Sequence, residues 1–155
     1  MNYNIVRVVS IILLAVVTLF CSLFICYLNN TKLVNPKTVS FYNELKYKLK
    51  QNGFSNHLIV ISTKRFKWHN NIQVKFNGAA TKSRHLVGEA IDFVVFDING
   101  DGISNGKDVD IAYNLLDKEI IKDEGGIGTY KRENNFFNRQ MIHIDCRGYR
   151  ARWNR

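Results

Sequence analysis

The chain has 155 residues, 46% hydrophobic and 23% charged, with a single proline and a net charge of +9. Those figures exclude a collagen, a proline-rich linker and a disordered acidic tail, and the length allows one domain with at most a small appendage. The positive excess suits a polyanionic neighbour: nucleic acid, a membrane surface or an anionic wall polymer.

No charged residue occurs between Val8 and Leu28. At ~1.5 Å per residue this run spans ~30 Å, the hydrocarbon thickness of a bilayer. A cleavable signal has a shorter apolar run that ends at small residues. This one ends in bulky side chains (Phe24 to Leu28), so residues 1–30 are expected to be a retained membrane anchor. Residues 31–39 are polar, carry the only proline and read as a linker. Ser40 can cap a helix with Leu45 and Leu49 on one side, and Gly53 follows its end. HLIVIST and AIDFVVF are apolar, β-branched runs and read as buried strands. Between them, residues 64–84 are basic and polar and read as an irregular loop. VDIAYNLLDKEI predicts a helix with Ile111, Leu115, Leu116 and Ile120 inward, DEGGIG a turn, and MIHIDC a last strand before a basic tail, RGYRARWNR. Phe66, Trp68, Phe76, Phe136 and Phe137 are read as core, with a substrate groove as the other use. The tail arginines Arg147, Arg150, Arg152 and Arg155 are read as solvated or touching anionic polymer. One early helix followed by strands broken by long loops indicates an α+β domain over residues 40–155. Only Cys146 lies in that domain, so it has no internal disulfide framework.

Two places carry chemistry. Asp92 stands in an apolar strand, where a carboxylate is costly unless it is paired or bound to metal. Ala90 and Asp92 share one strand face, and His85 on the preceding loop can fold back towards them. His143 and Asp145 repeat the pattern in MIHIDC. Two histidines and an aspartate around zinc leave a fourth position open, the arrangement of catalytic zinc, which lowers the pKa of water to about 7 so that a neighbouring carboxylate can take its proton.

Ser83-x-His85-x-x-Gly88-x-Ala90-x-Asp92, with the later GGIG and IHIDCRGYRARW, resembles the zinc D-Ala-D-Ala carboxypeptidase and murein endopeptidase family (peptidase family M15), whose fold is shared with the Hedgehog signalling domain. The resemblance covers about residues 40–153. It implies an antiparallel sheet with flanking helices and a zinc peptidase acting on peptidoglycan stem peptides. It also implies His85 and Asp92 as zinc ligands with a third from the last strand. His143 is assigned as that ligand and Asp145 as the base; in the alternative, Asp145 is the ligand and His143 an electrostatic partner. Arg65, in VISTKRF, resembles the family arginine that steadies a substrate carboxylate or carbonyl. A zinc-containing domain of the same fold that holds wall peptide without cutting it is the other reading, raised by Gln140 where some relatives carry an acid.

The second place is DINGDGISNGKD. Asp97, Asn99 and Asp101 alternate, Gly102 permits a sharp turn, Ile103 offers a carbonyl, and Asp108 stands at the twelfth position. This is the spacing of an EF-hand calcium loop and resembles one loop of a dockerin repeat. Calcium is expected there as a structural ion pinning the insertion at residues 97–108. The expectations together are a monomeric, single-pass membrane protein. Its zinc peptidase domain lies on the exoplasmic side, with peptidoglycan peptides and not nucleic acid as its partner.

Overall fold

The computed structural model describes residues 3–77, 79–131 and 140–155. Helix α1, Tyr3–Leu28, contains a 22-residue stretch, Val6–Tyr27, long and apolar enough to cross a membrane, and no part of it is buried within the protein. The hydroxyls of Ser10, Thr18 and Ser22 donate to carbonyls three or four residues earlier, so these three hydroxyls are satisfied within the helix.

Helix α2, Pro36–Gln51, starts earlier than its Leu45/Leu49 pattern indicates. Asn35 caps it by accepting the Lys37 N–H, and Pro36 takes the first turn, where its missing N–H costs nothing. The expected linker at 31–39 is therefore a 3-10 turn, Thr31–Leu33, followed by the start of α2.

Five strands follow: β1 Leu58–Ser62, β2 Ala90–Val95, β3 Gly126–Tyr130, β4 Met141–Asp145 and β5 Ala151–Asn154. They form one sheet in the order β1-β2-β4-β3-β5. The pairs β1/β2, β2/β4 and β4/β3 are antiparallel, and β3/β5 is parallel. The α+β class stands, but the sheet is mixed rather than antiparallel. DEGGIG and the basic tail, read as turn and tail, supply β3 and β5. Glycine and arginine at alternate positions hide the two-residue period there.

Helix α3, Lys67–Asn77, occupies the segment expected to be an irregular loop. Its Trp68 and Phe76, and the preceding Phe66, are exposed rather than core. Phe136 and Phe137 lie outside the described residues. Helix α4, Gly106–Leu115, runs into a π-helical turn, Leu116–Ile120.

Strand alternation divides the sheet into two faces. Ile91, Phe93, Val95, Ile127, Ile142 and Ile144 form one core with Phe41, Leu45 and Leu49 of α2 and with Val109 and Ala112 of α4. Each buried Val, Leu, Ile or Phe side chain among them contributes about 1.5–3 kcal/mol. The other face carries Ala90 and Asp92, His143 and Asp145, and Gly126 and Gly128.

Candidate metal centre

The S-x-H-x-x-G-x-A-x-D segment is a short machine of local geometry. Ser83 caps a 3-10 turn, Arg84–Val87, by accepting the His85 N–H, so His85 rides on the turn. Gly88 ends the turn at φ +74°, where a Cβ would also stand 2.6 Å from the Leu33 carbonyl oxygen. The Asn35 N–H donates to the Gly88 carbonyl at 2.7 Å and the Thr38 hydroxyl to the Glu89 carbonyl at 2.8 Å, which fixes the turn to α2. β2 then starts at Ala90 and brings Asp92 onto the face away from the core.

Register completes the centre. Asp92 pairs with His143, His143 with Gly128 and Gly128 with Trp153. The β1/β2 register slips between Val60 and Ser62, so Ser62 rather than Ile61 stands opposite Asp92. His85 Nε2 lies 3.1 Å from Asp92 Oδ1, His143 Nδ1 lies 2.7 Å from the same oxygen, and the two ring nitrogens are 3.3 Å apart. All three side chains are buried.

The outer partners fix how the rings present themselves. His85 Nδ1–H donates to the Thr63 carbonyl at 2.5 Å, which leaves its Nε2 lone pair facing inward. His143 Nε2–H donates to Asp145 Oδ2 at 3.1 Å, which leaves its Nδ1 lone pair facing inward. Two ring nitrogens and a carboxylate oxygen thus converge on one place, where a proton shared between His143 Nδ1 and Asp92 Oδ1 in the metal-free protein would give way to a cation. Tetrahedral zinc ligands at ~2.0–2.1 Å from the metal lie ~3.3–3.4 Å apart, so the three atoms need only a slight expansion to hold that ion.

Charge follows the same plan. Burial lowers the His85 pKa by more than Asp92 raises it, so this ring stays neutral. His143 is also buried, but Asp145 and Asp92 more than offset the burial and its pKa is raised. Burial opposes ionisation of Asp92, yet His85 and His143 outweigh it and hold the carboxyl well below its usual range.

No family model, curated protein or solved structure matches the chain. The centre is therefore read from its own geometry.

That geometry gives Asp145 a different place from the one expected. Its side chain is fully buried behind His143. Oδ1 accepts from the N–H groups of Gly126 and Arg147, both at 3.1 Å, and from Arg147 Nε at 2.7 Å. Oδ2 accepts from Arg147 Nη2 at 2.5 Å and from His143. Burial alone would raise the Asp145 pKa, but Arg147 and His143 hold it below the carboxylate range. With both oxygens occupied on the far side of the ring, Asp145 orients His143. In this arrangement Asp145 stands on the far side of the His143 ring from the converging atoms.

Arg65 is present but engaged. Its Nη2 donates to Asp92 Oδ2 at 2.5 Å and its Nε to the Ser62 hydroxyl at 2.8 Å. It holds the outer oxygen of Asp92, where a free substrate-binding guanidinium was expected.

Composition and motif reading missed Thr63, Arg147, Trp153 and the two strand glycines. A Cβ on Gly126 would stand 2.5 Å from Asp145 Oδ2, and one on Gly128 2.3 Å from the Trp153 ring. The glycines therefore make room for the Asp145–Arg147 pair and for an indole whose centre is 5.2 Å from the His143 ring. Of the tail arginines, Arg147 pairs with Asp145, and Arg150 and Arg152 pair with Asp117, so these three are internal braces.

The Asp97–Asp108 loop is self-capped. Asp97 accepts the N–H groups of Gly100, Asp101 and Gly102, Asn99 that of Asp101, and Asp101 that of Ile103. The Ile103 carbonyl accepts from the Asn105 amide. Asp108, fully buried, accepts from Ile98, Asn99 and Asn105 and completes a capping box on α4. Among the described residues the one group of three histidine, cysteine or acidic side chains close enough to share an ion is His85, Asp92 and His143. Four of the five expected calcium ligands, Asp97, Asn99, Asp101 and Asp108, thus accept backbone N–H groups, and the three carboxylates do not stand within reach of a single ion.

Proposed function

We propose that this protein is a membrane-anchored, zinc-dependent peptidase acting on peptidoglycan stem peptides, with α1 as the anchor and the sheet domain on the exoplasmic side, where those peptides lie. The observation that carries the reading is the convergence of His85 Nε2, Asp92 Oδ1 and His143 Nδ1, each backed by its own outer partner. The resemblance of the Ser83-to-Asp92 motif to the zinc carboxypeptidases and murein endopeptidases supplies the substrate class. His85, Asp92 and His143 would hold the ion, Thr63 and Asp145 orient the rings, and Arg65 holds the second oxygen of Asp92. Bound there, zinc supplies Lewis acidity to a peptide carbonyl and acidifies water.

A second reading has a specific observation behind it. Asp145 is committed to Arg147 and Gly126, and a zinc-containing domain that holds wall peptide without cutting it needs no free carboxylate. Incubation of the full chain in detergent with defined muropeptides separates the two. New peptide termini by mass spectrometry, lost with chelator and restored by zinc, are the expected result. Retention of muropeptide without new termini would replace the peptidase by the binding domain.

We assign the Asp97–Asp108 loop a capping role in place of the calcium site. Asp108→Ala removes a buried acceptor from three backbone donors and is expected to cost about 3 kcal/mol, read from denaturant unfolding. Millimolar calcium is expected to leave the melting temperature of the unmodified protein unchanged. A rise of several degrees, abolished by Asp101→Ala, would restore the ion.

A further inference from the structure

Helix α3 turns its apolar stripe outward. Trp68, Ile72 and Phe76 recur every fourth residue and are 55%, 46% and 72% exposed, while Asn70 on the opposite side is buried, as is His69 at the edge of the stripe. Phe66, just before the helix, is 54% exposed. Scattered exposed apolar side chains need no explanation, but a continuous stripe on one helix does. Three further observations bear on what covers it.

The first is position. The end of α1 rests on the start of α3. The Tyr27 and Phe66 rings stack with centroids 5.0 Å apart, and the Phe66 N–H donates to the Tyr27 hydroxyl at 2.8 Å. Phe24 lies 6.5 Å from the Trp68 ring and 5.8 Å from that of His69. If α1 crosses a bilayer, Phe24 and Tyr27 stand at its edge, the depth at which tryptophan and tyrosine collect. Phe66 and Trp68 are then at the same depth. The second is charge. From Lys64 to Arg84 the chain has six lysines and arginines and no acidic residue. The third is their arrangement: Lys75 Nζ lies 5.5 Å from the Phe76 ring, so a cation flanks the stripe. An apolar stripe bordered by cations is the build of a helix lying in the headgroup layer of an anionic membrane.

We infer that α3 is an interfacial helix, with Phe66, Trp68, Ile72 and Phe76 entering the surface of an anionic lipid bilayer and the flanking lysines meeting lipid phosphates. This rests on the reading of α1 as a membrane span. It deepens the proposed function, because Arg65 directly precedes Phe66 and binds Asp92. The metal centre is thereby held against the membrane, and its substrates are peptides within reach of the lipid surface rather than deep in the wall.

The chain has two tryptophans, Trp68 and Trp153. In a Trp153→Phe variant of the full chain, fluorescence reports Trp68 alone. Reconstituted into phosphatidylcholine vesicles containing phosphatidylglycerol, this variant is expected to show blue-shifted emission, quenched at least about twofold by lipids spin-labelled near the headgroup. Lys67→Glu with Lys75→Glu is expected to weaken that quenching, as is omission of phosphatidylglycerol. Unquenched, water-like emission from protein that resists alkaline extraction overturns the interfacial helix while leaving the anchor in place. Quenching indifferent to both phosphatidylglycerol and the lysines overturns the anionic-lipid part. Alkaline extraction of the chain from the vesicles refutes α1 as a span, and the inference falls with it.

Discussion

Asp92→Ala is expected to abolish stoichiometric zinc binding and to destabilise the metal-free domain by about 3–5 kcal/mol. Asp92 is buried between His85, His143 and Arg65, so its removal leaves the Arg65 guanidinium without its carboxylate. The sign of the pH dependence follows from the depressed pKa of Asp92. Its contribution is complete above the unfolded carboxyl value of about 4 and is lost as pH falls through the lower folded value. The gap between variant and unmodified protein should therefore close in strong acid. His85→Ala should lose zinc equally, because two ligands cannot hold what three were placed to hold. Metal analysis and urea unfolding check both variants; one ion per chain retained in either would remove the centre.

Asp145→Asn is expected to lower zinc affinity by about 10- to 100-fold, the scale of losing a carboxylate that orients a ligand histidine. The amide oxygen can serve the three donors now on Oδ1, and the amide N–H groups then face the His143 Nε2–H and Arg147. The ring relieves that clash by moving its proton to Nδ1, the atom needed for the metal. Were Asp145 the base instead, the same variant would keep its zinc and lose turnover, so affinity and activity measured together decide between the roles. In the unmodified protein the raised pKa of His143 means that a proton competes for Nδ1. Zinc affinity should fall about tenfold per unit as pH drops below that value, and the depressed pKa of His85 adds no competition there. A competition titration against a chromophoric chelator reads the slope.

What could be read from the chain was what short-range geometry decides. Ala90 and Asp92 sharing one strand face, with His85 just before them on a loop that can fold back, are local statements. The structure brings His85, Asp92 and His143 together as that reading required. What could not be read depends on register between distant segments. Gly126 and Gly128 look like turn residues until β3 is set against β4 and β5, where they become room for Asp145, Arg147 and Trp153. The contacts of Asp145 and Arg65 could not be read for the same reason: residue type does not say on which side of His143 or Asp92 a partner stands. At Asp97–Asp108 the same alternation of Asx residues serves a self-capped turn and a calcium shell, so residue spacing is common to both. In α3 the fourfold spacing of Trp68, Ile72 and Phe76 was present, but the surrounding lysines and asparagines resembled a loop.

The two-sided sheet sets how this protein can change. Its cohesion comes from Ile91, Phe93, Ile142 and Ile144 pressed against α2 and α4, while its chemistry sits on the alternate residues of the same strands. A replacement at Ala90, Ser62 or Trp153 alters the surroundings of the histidines without reaching the isoleucines behind them. The surroundings of the His85, Asp92 and His143 group can thus drift over generations on an unaltered framework, and a laboratory library confined to the outward positions should yield folded proteins at a far higher rate than one that samples both sides.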